Sequence, residues 1–445
     1  MSKIQLDWSK LLSTSRYDAE PPDPSKYSTR CFRSPFESDY DRAVYSSSFR
    51  RLGKKTQVHP MAKNAHIHNR LTHSLEVASV ARSLGRRLAH LLEDKGVMPE
   101  SAKEYDIAFS LMAASLAHDM GNPPFGHAGE FAIREWIESH DSDFFPSDFV
   151  DKGLKTDVSI FEGNAQGFRL AARKDLGELA YLHFAYCSLG AMVKYPWTST
   201  DARATSEGKY NFFSSEEEVA KEVFGELGLF DGTKFYRHPM SFLSEAADDI
   251  CYRVIDIEDA VELNEIQEDE ATGHYLCMLG ETAKPYHEAM RLSQLRAVVI
   301  GRLIDVFWDV FEDKYDSIMA GERTEDLKKG LSEADSDCFA SVKKTNNTKI
   351  FTAAKKVRVE IGAYQVMGRI LKAMGKATAA YSKHQDLSKI PFIAKRCLEL
   401  AWSPGFISAN SEQPFSWWIH QILDFISSMT DDRAIEVSNA INGFN

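Results

Sequence analysis

The strongest constraint on this chain is the period of its apolar residues. Over 70–92, "RLTHSLEVASVARSLGRRLAHLL", Leu71, Leu75, Ala78, Ala81, Leu84, Leu88 and Leu91 recur every three or four residues. That spacing collects one face of an α-helix and does not suit a strand, whose side chains change face at every residue. Residues 104–118, 128–138, 178–194, 241–262, 283–320, 353–374 and 414–429 carry the same period. Alternating patterns are nearly absent, and the best of them, "VRVE" at 357–360, is short. The stretches 139–158, 197–216, 321–348 and 403–413 are rich in Ser, Asp, Pro or charge and are expected to be loops. No repeat period appears. The expected fold is all-α: a single helical body over 1–445, a catalytic core across 45–260, and a helical C-terminal part over 261–445 packed on it.

A chain of 445 residues can build a full core, and 43% hydrophobic with 27% charged residues is a globular composition. The net charge of −12 argues against bulk attraction to nucleic acid or an anionic membrane, though not against a local basic pocket. No apolar run approaches the roughly 18 residues of a membrane span. The opening "MSKIQLDWSKLLSTSRYD" lacks a secretory apolar region, and Cys31, Cys187, Cys251, Cys277, Cys338 and Cys397 are scattered without a CxxC. These features lead us to expect a cytoplasmic protein with reduced thiols.

One stretch asks for a chemical explanation. In "LAHDMGNPPFGHAGE" (116–130) an apolar helical run stops on His118 and Asp119, turns through Gly and Pro, and restarts on His127 and Glu130. Neither residue of an adjacent His-Asp pair is cheap to bury alone. His73 in "RLTHSLE" and Asp248 in "EAADDICYRVID" sit in similar apolar helical surroundings. A lone buried His is more often a satisfied core residue than a ligand, and a lone Asp more often a cap or a paired charge. Four together, His73, His118, Asp119 and Asp248, invert that balance. Two imidazoles with two carboxylates form a mixed N/O set suited to Mg²⁺, Mn²⁺, Fe²⁺ or Zn²⁺. Asp249, next in sequence, is expected outside the ligand set. His127 and Glu130, at i and i+3, share a helical face, where a carboxylate can hold an imidazole and favour its protonated form. Arg50, Arg51, Lys54 and Lys55 form a basic turn, ordinarily a solvated face. His66 and His68 have no ligand logic in their spacing.

The H…HD…D set is the signature of HD-domain phosphohydrolases. The longer strings "FRRLGKKTQV", "RLTHSLEVA", "HDMGNPPFGHAGE", "FEGNAQGFR", "LGAMVKYPW", "RHPMSFLSEAADDICYRVIDIEDA" and "DFISSMTDDRA" resemble the bacterial deoxyguanosinetriphosphate triphosphohydrolases along nearly the whole chain. The resemblance implies an HD-type catalytic core over 45–260, with 261–445 completing the nucleotide pocket and the oligomer contacts. It implies His73, His118, Asp119 and Asp248 as ligands of Mg²⁺ or Mn²⁺. It further implies hydrolysis of dGTP or another dNTP to deoxynucleoside and inorganic triphosphate, with His127 as general acid oriented by Glu130. Arg70, three residues before His73, and Lys209 would meet phosphate. Gln57 would touch sugar or base, and Tyr252 and Asp256 would flank the sugar. Asn122 stands where more distant HD-type dNTPases carry His. Homo-oligomers, often hexamers, and a dNTP or single-stranded DNA effector are further implications; for Lys343–Lys344 in "KKTNNTK" a polar loop is the plainer reading. The competing expectations are another HD phosphohydrolase (nucleotidase, phosphodiesterase or (p)ppGpp hydrolase) and a non-catalytic nucleotide sensor.

Overall fold

The structure, a computed structural model, describes residues 4–18, 33–56, 67–173, 182–280, 283, 290–350 and 354–443. The all-α expectation is borne out. Among the described residues the only β features are isolated bridges such as Thr56 with Asn69. Among the described residues no helix is long and apolar enough to cross a membrane.

The centre is built from the Arg70–Asp94, Glu104–Ala117 and Pro239–Glu262 helices, which pack on one another. Their starts are written in the sequence. Asn69 accepts from the Leu71 and Thr72 amides while Thr72 returns a bond to Asn69, a capping box. His238 caps the third helix, with Pro239 in its first turn. Leu84 and Leu88 are fully buried, each contributing about 1.5–3 kcal/mol by leaving water. Leu75, on paper part of the same stripe, is 42% exposed.

The buried side chains form two cores. One joins the central helices to Pro35–Tyr45, Tyr186–Met192, Glu268–Leu279 and Leu292–Asp313. The other joins the His127–Ser139 helix to Ala354–His384, Phe415–Ser428 and Asp431–Asn442.

Several local expectations are corrected. "VRVE" lies inside the Ala354–His384 helix, where Ala363, Met367, Ile370, Leu371 and Met374 continue a helical stripe that outweighs four alternating residues. The stretch 321–348 is not a loop. It holds a helix, Glu333–Thr345, capped by Ser332 accepting from the Asp335 amide, with Cys338, Phe339 and Val342 turned inward. Short helices also interrupt 139–158, 197–216 and 403–413. The 283–320 segment is divided into Leu292–Asp313 and Tyr315–Met319, and the described part of 178–194 is helical only over Tyr186–Met192. The five described cysteines carry free thiols.

Candidate metal and phosphate site

Three helices deliver the candidate ligands. His73 lies in the first turn of Arg70–Asp94, His118 directly follows Glu104–Ala117, and Asp248 is in the middle of Pro239–Glu262. His73, His118 and Asp248 each offer a ligand atom, all within 4.8 Å of one another. His73 Nε2 stands 3.0 Å and His118 Nε2 3.6 Å from Asp248 Oδ1. His118 Nδ1 donates to the Ser115 carbonyl at 2.6 Å, which fixes the tautomer and leaves Nε2 free for a cation. Asp119 is not part of that three-residue cluster. It sits beside it, Oδ2 3.6 Å from His118 Nε2 and 2.7 Å from Arg70 Nη1. That oxygen is closed to solvent and accepts no well-directed hydrogen bond. A buried carboxylate oxygen held only by the Arg70 ion pair, beside a converging N/O donor set, fits a divalent cation.

The surrounding charges are strong. Burial disfavours the Asp119 carboxylate, but Arg70, His118 and His73 outweigh it and hold its pKa below the usual range. Asp248 is likewise held low against burial, by Lys194 and the two imidazoles. Burial would lower His73, and the Asp248 hydrogen bond reverses the sign, so its pKa is raised. Lys194, whose Nζ meets Asp248 Oδ2 at 2.9 Å, was missed in the sequence reading. The available signal was a lysine inside the apolar string "LGAMVKYPW", where a solvated face is implausible.

His127 opens its helix with its side chain 73% exposed, whereas Glu130 is buried. His127 Nδ1 lies 2.8 Å from Glu130 Oε2, and Glu130 Oε1 accepts from the Gly163 amide at 2.8 Å. Glu162 and Lys209 stand behind the pair: Lys209 Nζ is 3.0 Å from Glu162 Oε2, and Arg134 binds the same carboxylate. Burial raises both acids. The His127 hydrogen bond and Lys209 outweigh it at Glu130, which is lowered, while repulsion from Glu130 adds to burial and leaves Glu162 raised. The turn before His127 depends on a close backbone approach. A Cβ at Gly121 would fall 2.2 Å from the Gly163 oxygen and 2.2 Å from the Gly167 nitrogen. The strings "HDMGNPPFG" and "FEGNAQGFR" meet at this approach.

On the far side of His73, Tyr252 bonds to Asp256, and Asn346 Nδ2 donates to Asp256 Oδ2 at 3.4 Å. Burial pushes the Asp256 carboxyl up to about 8 against the pull of His73. Asn346 belongs to "KKTNNTK", so this polar segment ends in a buried contact instead of a loop. Asp249 turns away from the ligands to Arg253 and Lys328. His68 pairs with Asp259 and Glu76. The solvated-face reading of the basic turn fails at Lys55, which is 2% exposed and donates to the carbonyls of Asn122 and Ser427. Gln57 and His66 lie outside the described residues.

The HD domain family profile matches residues 70–148, which span His73 through the His127 turn. The chain is similar to proteins named deoxyguanosinetriphosphate triphosphohydrolase-like protein. One from Pseudomonas aeruginosa is 35% identical over 98% of this chain and 99% of that protein, and one from Synechocystis is 33% identical over 98% and 99%. A deoxyguanosinetriphosphate triphosphohydrolase of Klebsiella pneumoniae is 30% identical over 76% of this chain and 75% of its own length.

Proposed function

The chain belongs to the deoxyguanosinetriphosphate triphosphohydrolase-like family of HD-domain hydrolases, and from that membership we propose that it cleaves a deoxynucleoside triphosphate, dGTP by preference, into deoxynucleoside and inorganic triphosphate. The observation that carries the reading is the convergence of His73, His118 and Asp248, with Asp119 beside them, a few residues from the His127–Glu130 pair. His73, His118, Asp119 and Asp248 would hold Mg²⁺ or Mn²⁺. When bound, the cation supplies charge neutralisation at the α-phosphate and a water acidified for attack. His127, exposed to substrate and held by Glu130, would give its proton to the departing 5′ oxygen. Arg70, Lys194 and Lys209 are the cations available to phosphate oxygens.

Asp256 would accept from the sugar 3′ hydroxyl, and Tyr252 would occupy the volume of a ribose 2′ hydroxyl, excluding ribonucleotides by contact. Gln57 completes the proposed sugar and base contacts. Residues 45–260 would carry the chemistry, and 261–445 would complete the pocket and form homo-oligomer contacts, with a hexamer as the expected assembly. A dNTP or single-stranded DNA effector and a cytoplasmic location complete the proposal.

The test is product analysis. Metal-stripped protein is given each dNTP or GTP with Mg²⁺ or Mn²⁺, and the products are separated by anion exchange. Intact triphosphate formed from dNTPs, absent with GTP and abolished in His127→Ala, supports the reading. Orthophosphate or pyrophosphate as the product refutes it.

A further inference from the structure

The Glu268–Leu279 and Glu333–Thr345 helices pack on each other, and polar contacts fix their register. Lys349 Nζ meets Glu270 Oε2 at 2.7 Å, and His274 Nε2 lies 3.1 Å from Thr345 Oγ1. One partner's number falls as the other's rises, so the two segments run antiparallel. The next step along brings Cys277 to Cys338, and their thiols share a hydrogen bond. Among the described cysteines Cys277 alone is exposed, whereas Cys338 is 2% exposed.

Two free thiols in contact, one wet and one dry, differ in reactivity. Cys277 is open to a water-borne oxidant. Burial and the hydrogen bond to Cys277 raise the Cys338 pKa, which keeps that thiol protonated until its partner has reacted. A disulfide needs the two sulfurs about 2.05 Å apart, and the backbone at Cys277 can yield to reach that distance. Cys277 lies in the last turn of its helix, and Gly280, at φ +60°, ends it.

The Cys338 helix runs directly into the π-helical turn Asn346–Ile350. Asn346 is the residue whose Nδ2 donates to Asp256 Oδ2 at 3.4 Å, and its Oδ1 is closed to solvent without a partner. A bond of that length is at the limit of useful geometry, so drawing the Cys338 helix toward Cys277 breaks it.

We propose that Cys277 and Cys338 are an oxidisable pair, a modification site at which a hydroperoxide drives an intramolecular disulfide that weakens nucleoside binding through Asn346 and Asp256. The Cys277 sulfur attacks the peroxide, the O–O bond breaks, and an alcohol or water leaves as Cys277 becomes a sulfenic acid. The Cys338 sulfur then displaces the sulfenic oxygen as water, its own proton leaving with that water, and the S–S bond forms. Two thiols have then lost two electrons to one peroxide. The disulfide half stands without the proposed function; the binding half rests on it.

Reduced full-length protein is treated with a small excess of hydrogen peroxide in EDTA, and its peptides are mapped without reduction. dGTP binding is then measured by calorimetry, still in EDTA. A Cys277–Cys338 crosslink is expected, with dGTP bound about 3- to 10-fold more weakly, the worth of one hydrogen bond. Dithiothreitol restores both, and Cys277→Ser and Cys338→Ala each keep the reduced protein's affinity under peroxide. Cys277 oxidised to sulfinic acid without a crosslink overturns the proposal, as does a disulfide from Cys277 to any other cysteine, within or between chains. A Cys277–Cys338 crosslink with unchanged dGTP affinity overturns the binding half. Failure of the reduced protein to bind dGTP at all, with the crosslink intact, faults the proposed substrate and leaves the thiol pair standing.

Discussion

Replacing Glu130 with Gln separates orientation from packing at the proposed catalytic pair. In the native protein one Glu130 oxygen meets His127 Nδ1 at 2.8 Å and the other takes the Gly163 amide at 2.8 Å. Gln has nearly the same shape, and its carbonyl can still accept from Gly163. Its NH₂ then faces His127, so a donor meets a donor unless the ring changes tautomer. The lost charge-assisted bond is worth about 1.5–3 kcal/mol, and general acid catalysis as a whole supplies about 10²–10⁴ in rate. Glu130→Gln is therefore expected to lower kcat about 10²- to 10⁴-fold with KM little changed. Stability should fall by no more than about 1 kcal/mol, because the Gly163 bond survives. Glu130→Ala should lose the same activity and about 1–3 kcal/mol of stability besides, since the Gly163 amide is left without an acceptor. Triphosphate release under steady-state conditions, paired with urea unfolding of each variant, reads both effects. A Glu130→Gln protein that turns over at the native rate would refute the orienting role, and a large stability loss with intact kcat would make Glu130 a packing residue.

Gly121→Ala would drive a Cβ to 2.2 Å from backbone atoms of Gly163 and Gly167. A loss of roughly 3–5 kcal/mol is expected by urea unfolding, and near-native stability would mean the turn is not so tightly held. Mn²⁺ at about 100 times its Kd should stabilise the native protein by about 2.7 kcal/mol, read as a rise in melting temperature, and should not stabilise Asp248→Asn. Buried His238 has its pKa lowered to about 4 from 6.5, with Nδ1 accepting from the Met240 amide and Nε2 donating to the Leu11 carbonyl. The unfolded chain binds this proton first, so the stability it confers is complete above pH 6.5 and is lost as pH falls toward 4, about 3 kcal/mol in all. Urea midpoints across that range should show the slope in native protein and a shallower one in His238→Gln; parallel slopes would assign the acid sensitivity elsewhere.

What could be read from the sequence follows the range of each interaction. Helices announce themselves through contacts three and four residues apart, so the Arg70–Asp94 stripe was legible. The candidate ligands stood out because His118, Asp119 and Asp248 interrupt apolar runs where an unpaired polar group is costly. Glu333–Thr345 was misread because only Cys338, Phe339 and Val342 face inward, too few to dominate a polar composition. Lys194 and Asn346 went unnoticed because nothing within a few residues of either one reveals its partner: Asp248 is 54 residues from Lys194, and Asp256 is 90 from Asn346.

Distant contacts also hold the turn between the candidate ligands and His127. Within "HDMGNPPFGHAGE" local geometry fixes only the shape. Its position comes from the Asn122 carbonyl on Lys55 Nζ and from the Phe125 amide on Asp431, 306 residues away. Lys55 is itself tied to the Ser427 carbonyl, and Asp431 to Thr56, whose carbonyl steadies Arg70 beside Asp119. The turn that joins the candidate ligands to His127 is thus clamped by buried polar contacts from Lys55 before it and Asp431 far after it in sequence. Each of these leaves a desolvated donor or acceptor behind if broken, at about 1–3 kcal/mol apiece. The 70–148 segment contains this turn and most of the candidate donors, but Lys55 and Asp431, two of the residues that hold the turn, lie outside it. Residues from both sides of it in sequence, Lys55 and Thr56 with Ser427 and Asp431, make up the clamp.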